Sequence, residues 1–242
     1  MTRETWMPLA LVLALALALF GVWSYLGAQR EAEREAAREE RTREREAAEA
    51  RDVEASRTES SELLHGILPG VALGTDLETV RAARPADALS PSTSRTDPGF
   101  DLYEETLSNG AQVMYAFVAR SHLLERIQIL SMLDGVDGLV PHLTAMQGMY
   151  GAPTGIWDCT DQGGISTRRF TWRRGHVGLA DIALVYGSRV SLTLYITTND
   201  QMASSLRRSG CVPTPEGEVG NFRTSTPEQI ERAQEEQEHA PP

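Results

Sequence analysis

The sequence predicts an α+β protein: an N-terminal transmembrane helix and charged helical stalk, then tandem α-β-β-β repeats forming antiparallel sheet with helices on one face. Three observations carry this expectation. Residues 7–26 form a twenty-residue run without a charge, residues 28–62 are mostly Ala, Glu and Arg, and residues 63–212 carry helix and hairpin signals that recur in the same order. The organisation expected is a 1–27 transmembrane anchor, a 28–62 charged helical stalk, a 63–212 two-repeat globular domain and a 213–242 disordered acidic tail. A globular part of about 150 residues is enough for one sizeable core.

The net charge of −11 is not spread evenly. The stalk has 8 Arg against 12 acidic residues and the tail 2 Arg against 7 Glu, while the globular part is nearly balanced, with 12 Arg and 14 acidic residues. The folded part therefore lacks the basic footprint of a general nucleic-acid binder. All 23 basic residues are Arg, which reads as composition rather than function.

At about 1.5 Å per residue, Met7–Leu26 spans roughly 30 Å, the thickness of a bilayer's hydrocarbon core. Trp6 lies at one edge and Trp23 and Tyr25 at the other, where interfacial aromatics belong. Leu26 occupies the −3 position of the nearest small-residue site, which argues for an uncleaved signal anchor rather than a cleaved signal peptide. A short N-tail and a large following domain favour an inner-membrane, single-pass protein whose C-terminal domain is periplasmic or extracellular. The six arginines between Arg30 and Arg45 favour the opposite orientation, with that domain in the cytoplasm.

In the stalk, opposite charges recur at spacing three, as in Arg30–Glu33, Glu31–Arg34 and Glu40–Arg43, and support a solvated helix. A coiled coil needs larger apolar residues at its seam, and only Ala is present until Val53. Past Val212 the Pro/Glu/Gln-rich composition indicates disorder, with a short helix from Pro227.

The globular part begins with a helix in "GTDLETVRAARP", where Thr75 and Glu78 read as a capping box and Pro85 as a stop. Residues 101–107 lead into Asn109-Gly110, a strong hairpin signal. Val113, Tyr115 and Phe117 alternate on the next strand, and a third follows near Leu123–Leu130. The second half has a helix marked by Leu139, Leu143, Met146 and Tyr150, with Asp137 as its cap. An irregular stretch containing Trp157 and Cys159 follows. Strands come next at Phe170 and Trp172, at Val177–Val185, and at Val190, Leu192, Leu194 and Ile196. An offset of 66 brings Leu77 onto Leu143, Val80 onto Met146 and Asn109 onto Gly175, hence the expectation of a repeat.

The string "GVALGTDLETVRAARP", a hairpin strand, and "MYGAPTG" before a second meander resembles the β-lactamase-inhibitor-protein-like fold, a group that includes the small SmpA/OmlA-type envelope lipoproteins. The resemblance covers about residues 66–197. It implies secreted or envelope-located modules that bind other proteins and have no catalytic centre. The chain departs from the lipoproteins in having no lipobox Cys after its apolar segment, so lipid anchoring is not implied.

No G-x-S-x-G, H-E-x-x-H, Walker or dinucleotide motif is present. The histidines at 65, 122, 142, 176 and 239 are scattered, and "LDGVDGL" lacks the ligand pattern of an EF-hand. No catalytic, cofactor or metal residue is assigned. Cys159 and Cys211 read as a disulfide if the domain is exported, and otherwise as two free thiols. Arg169, Arg173, Arg174, Arg207 and Arg208 form the candidate binding surface, against the plainer reading of a solvated strand face. The function expected is a membrane-anchored envelope protein presenting a non-catalytic protein-binding domain. The alternatives are a structural spacer or scaffold of the envelope and, third, a hydrolase. The partners expected are the membrane, through a single span, and another protein, with no nucleic acid.

Overall fold

The computed structural model describes residues 6–93, 97–160, 164–222 and 224–226, and within the first helix the side chains of Trp23, Arg34, Glu35 and those from Ala37 onward. The short helix expected from Pro227 lies outside the described residues. The chain divides into two compact units, Met1–Arg51 and Asp52–Pro242.

The first helix, α1, runs over Trp6–Leu64. In the N-terminal unit its described side chains are nearly all exposed, and the Arg43–Glu39 ion pair at 3.5 Å is solvated on both sides. Such a pair contributes little. Among the described residues, no helix is long and apolar enough to cross a membrane. This corrects the expected transmembrane anchor, and with it the single-pass inner-membrane location with a periplasmic or extracellular domain. The apolar run is not an element of its own: the backbone passes from it into the charged stretch without a break, inside one 59-residue helix. The side chains of residues 7–22, on which the expectation rested, lie outside those described.

In the second unit the final turns of α1 join the core. Leu63 and Leu64 are buried, Ser60 Oγ accepts the Leu73 N–H (2.8 Å), and Arg57 donates to the Gly74 carbonyl (2.7 Å). Gly74 has φ +73°, and a Cβ there would lie 2.8 Å from Val53 Cγ1, so only glycine lets the chain pass this close to the helix. Helix α2 (Leu77–Ala83) follows, then β1 (Ser90–Pro91), β2 (Phe100–Thr106), β3 (Gln112–Val118) and β4 (Leu124–Leu133). After a 3-10 turn at Val136–Gly138 come α3 (Leu139–Tyr150), β5 (Gly155–Thr160), β6 (Ser166–Arg174), β7 (Val177–Tyr186) and β8 (Arg189–Thr198). The chain continues through α4 (Asn199–Arg208), β9 (Val212–Pro213) and β10 (Thr224–Ser225).

Nine strands form one antiparallel sheet in the order β1-β2-β3-β4-β8-β7-β6-β5-β9, and β10 lies parallel to the end of β7. Alternation selects one face as the core: Val113, Tyr115 and Phe117 of β3, Leu179 of β7 and Ile196 of β8 pack with Leu64, with Val80 of α2 and with Met146 of α3. A buried pair ties α2 to this layer. Arg84, its C-cap, meets Glu105 at 2.6 Å, and Tyr115 Oη donates to the same carboxylate (2.8 Å). Burial first, and then the adjacent Glu105, raise the Tyr115 hydroxyl far above its ordinary range.

The expected tandem α-β-β-β fold is corrected on three counts. Four strands, not three, follow each of α2 and α3, because the stretch expected to be irregular is β5, paired with β6 over 155–160. A single offset of 66 does not hold. Tyr103 pairs with Tyr115 and Phe170 with Asp181, so residue 115 matches 181 at 66 while 103 matches 170 at 67. Nor do the helices share one face: Met202 of α4 packs on Ala180 and Tyr195, which point away from the core of α1, α2 and α3. The physical reason is that β7 and β8 carry apolar side chains in both directions, so their second face also needs cover. Two of the expected helix caps also move. Asp76, not Thr75, accepts the Thr79 N–H (2.7 Å), and α3 starts without a side-chain cap from Asp137.

Candidate binding surface

The face of the sheet opposite the core is unequal along its length. Over β7 and β8 it is covered by α4, capped by Thr198 and anchored through buried Met202 and Leu206. Gly178 makes this possible: a Cβ there would approach Met202 Cβ to 3.0 Å. Over β2, β3, β4 and the near side of β8 the same face holds a hollow of about 210 Å³ whose described lining residues all lie on strands.

Strand pairing builds this hollow as two rows of outward side chains. One row is Thr106, Gln112, Leu130 and Thr193; the other is Glu104, Met114, Gln128 and Tyr195. The second row ends under α4, where Tyr195 is buried. Gln112, Gln128 and Thr193 make no side-chain hydrogen bond to the rest of the described chain. Glu104 is bonded to Ser92, so its carboxylate is not free. The surface thus carries neutral donors and acceptors and one hydrogen-bonded carboxylate, Glu104, around two apolar side chains, Met114 and Leu130. It suits hydrogen-bonded and van der Waals contact with another surface more than capture of an ion.

The arginines expected to bind do not form one strip. Arg169 lies beneath the last turn of α4, donating to Ser205 Oγ (3.1 Å) and Ser209 Oγ (2.8 Å). Burial pushes its guanidinium below its ordinary pKa, and the nearby Tyr195 hydroxyl opposes that shift. Arg174 is paired with Glu62 of α1 at 2.5 Å. Arg173, Arg207 and Arg208 are exposed, but Arg173 faces Gly178 beside the first turn of α4, whereas Arg207 and Arg208 occupy its last turn. Arg168, which alternation places on the core face, is the buried arginine: it meets Asp158 at 2.8 Å and donates to the carbonyls of Glu218 and Val219.

Cys159 and Cys211 stand at disulfide distance, with their sulfurs 2.01 Å apart, so Cys159 has no free thiol with which to attack a substrate. Of the histidines, His142 bonds Asp181 (2.8 Å) and His176 faces Glu59 and Asp52 of α1, while His239 lies outside the described residues. Among the described residues, no group of three His, Cys, Asp or Glu side chains is placed to hold a metal.

Reasoning from sequence missed the open face because its members are ordinary outward residues of strands. The signal for α4 was present, in Thr198 three residues before Gln201 and in Met202 and Leu206 at spacing four. Comparison of the chain with protein-family models, curated proteins and solved structures finds no match.

Proposed function

We propose that the chain is a non-catalytic protein-binding module that recognises its partner through the outer face of β2, β3, β4 and the near side of β8, which no described helix covers. The single observation that supports this reading is the hollow on that face, open where α4 closes the other half. The edges of the sheet are poor alternatives. Each ends in a two-residue strand carrying a proline, Pro91 in β1 and Pro213 in β9, and proline cannot donate to an added strand. A partner protein therefore meets a face rather than extending an edge.

A photo-crosslinking residue at Gln112 tests the proposal in the native cell extract. One protein should crosslink, and the double substitution Gln128→Arg and Thr193→Arg should abolish that product without lowering the melting temperature. Substituting Arg207→Glu and Arg208→Glu should leave it unchanged. A crosslink that survives the first pair, or is lost with the second, would refute the open face as the recognition surface.

A further inference from the structure

Residues 211–222 and 224–226 lie across one end of the sheet as a strap. After α4 the chain reaches Cys211, bonded to Cys159 of β5, and β9 then pairs with β5 at Asp158 and Trp157. The Thr214 N–H donates to the Ile156 carbonyl at 2.9 Å. The segment next passes to the core side of the sheet. There Arg168 Nη1 donates to the carbonyls of Glu218 (2.8 Å) and Val219 (2.6 Å), and its guanidinium lies 5.0 Å from the Phe222 ring centre. Phe222 packs on Phe170, with ring centres 6.5 Å apart, and the Ser166 N–H donates to Ser225 Oγ at 3.2 Å. The cavity left between Cys159, Arg168, Ala183 and Phe222 is about 10 Å³, room for no more than about one water.

We propose that this strap is a redox-released lid. With the Cys159–Cys211 bond intact, residues 212–222 and 224–226 stay seated, with Phe222 over Phe170 and Ala183. With the bond reduced, they leave as a local unit and uncover that apolar slot. The reductant is a dithiol. Cys159 is 2% exposed and Cys211 more open, so one thiolate of the dithiol attacks Cys211 Sγ and Cys159 leaves as a thiolate. The second thiol of the dithiol then displaces Cys211. Two electrons pass to the cysteine pair, which ends as two thiols, and the dithiol ends as a cyclic disulfide. Release is local because the strap adds only Val219 and Phe222 to the core's edge, while Met202 and Leu206 hold α4 and the core around Val177, Leu179 and Ile196 also packs on Leu64, Val80 and Met146.

Native-state hydrogen exchange on the folded full chain, with and without dithiothreitol, tests this. In the oxidised protein the Thr214 and Ser166 amides should exchange together with core amides such as Ile182. After reduction, verified by alkylation of both thiols, they should exchange at least tenfold faster than the core amides and lose most of their denaturant dependence. If they still exchange in step with the core, whether both are slow or both are fast, the lid is refuted and the bond is a staple of the whole domain. Phe222→Ala in the oxidised protein should by itself speed exchange at Ser166; no change there would also count against a seated strap.

Discussion

Gln128 of β4 and Tyr195 of β8 are direct partners across the middle of the sheet, and each stands at the other's position in the reversed strand order. From this pair outward, β3 mirrors β7, β2 mirrors β6 and β1 mirrors β5. The two residues have opposite environments. Tyr195 is 7% exposed beneath α4, whereas Gln128 stands in the open hollow. This departure from symmetry in cover is also where the proposed recognition surface lies.

Alanine at these two positions should separate them. Tyr195→Ala removes a buried ring from beneath Met202 and should cost about 3 kcal/mol, within the range for large-to-small core changes. Gln128→Ala should cost well under that, about 0.5 kcal/mol, because Gln128 is only half-buried and makes no side-chain hydrogen bond to the rest of the described chain. Urea unfolding followed by circular dichroism measures both.

The Arg84–Glu105 pair should be costly to break. The two side chains are 9% and 2% exposed, so removing either charge leaves the other buried without its partner. Arg84→Met should lower stability by about 3–5 kcal/mol. Glu105→Gln should also destabilise, because it leaves the Arg84 charge uncompensated. Equal midpoints for the native chain and Arg84→Met would contradict this assignment.

Reducing Cys159–Cys211 should lower the unfolding free energy by up to about 4 kcal/mol for a loop of this length, in the chain-entropy view. Their sequence separation is 52 residues. Paired urea curves with and without dithiothreitol measure the difference. Thiol titration of the unreduced, denatured chain should find no free cysteine.

Asp76 titrates below its ordinary range because its carboxylate accepts the backbone N–H of Thr79 at the start of α2. A lowered folded pKa means that its contribution is fully present above the unfolded value near 3.9 and is lost as pH falls through the folded value. Asp76→Asn keeps a cap but does not titrate. The difference in melting temperature between the two chains should therefore be constant near neutrality and shrink in acid. NMR of the Asp76 carboxyl carbon should place its midpoint below 3.9.

The parts legible in the sequence were those where one face is apolar and the other is not. Val113, Tyr115 and Phe117 are buried on the core side, as are Val190, Leu192 and Ile196, and strict alternation marked both strands. β5 escaped because its Asp158 points to a buried arginine and its Cys159 to a second cysteine, which reads as punctuation rather than as a strand. α4 escaped because only Met202 and Leu206 anchor a short, otherwise polar segment. The arginines misled because alternation fixes which way Arg169 points but not that a helix arrives there to cover it. Gln112, Gln128 and Thr193 carry no signal at all, since neutral polar residues stand at outward positions of any solvated strand.

The proline-bearing ends of the sheet bear on how copies of this chain can meet. Open-ended growth needs an unpaired strand on one molecule to serve as a template for the next, and neither end offers a continuous row of donors. Growth by strand addition from one copy to the next is thereby hindered. At high concentration the chain should not form fibres that bind thioflavin, and Pro91→Val with Pro213→Val should weaken that protection.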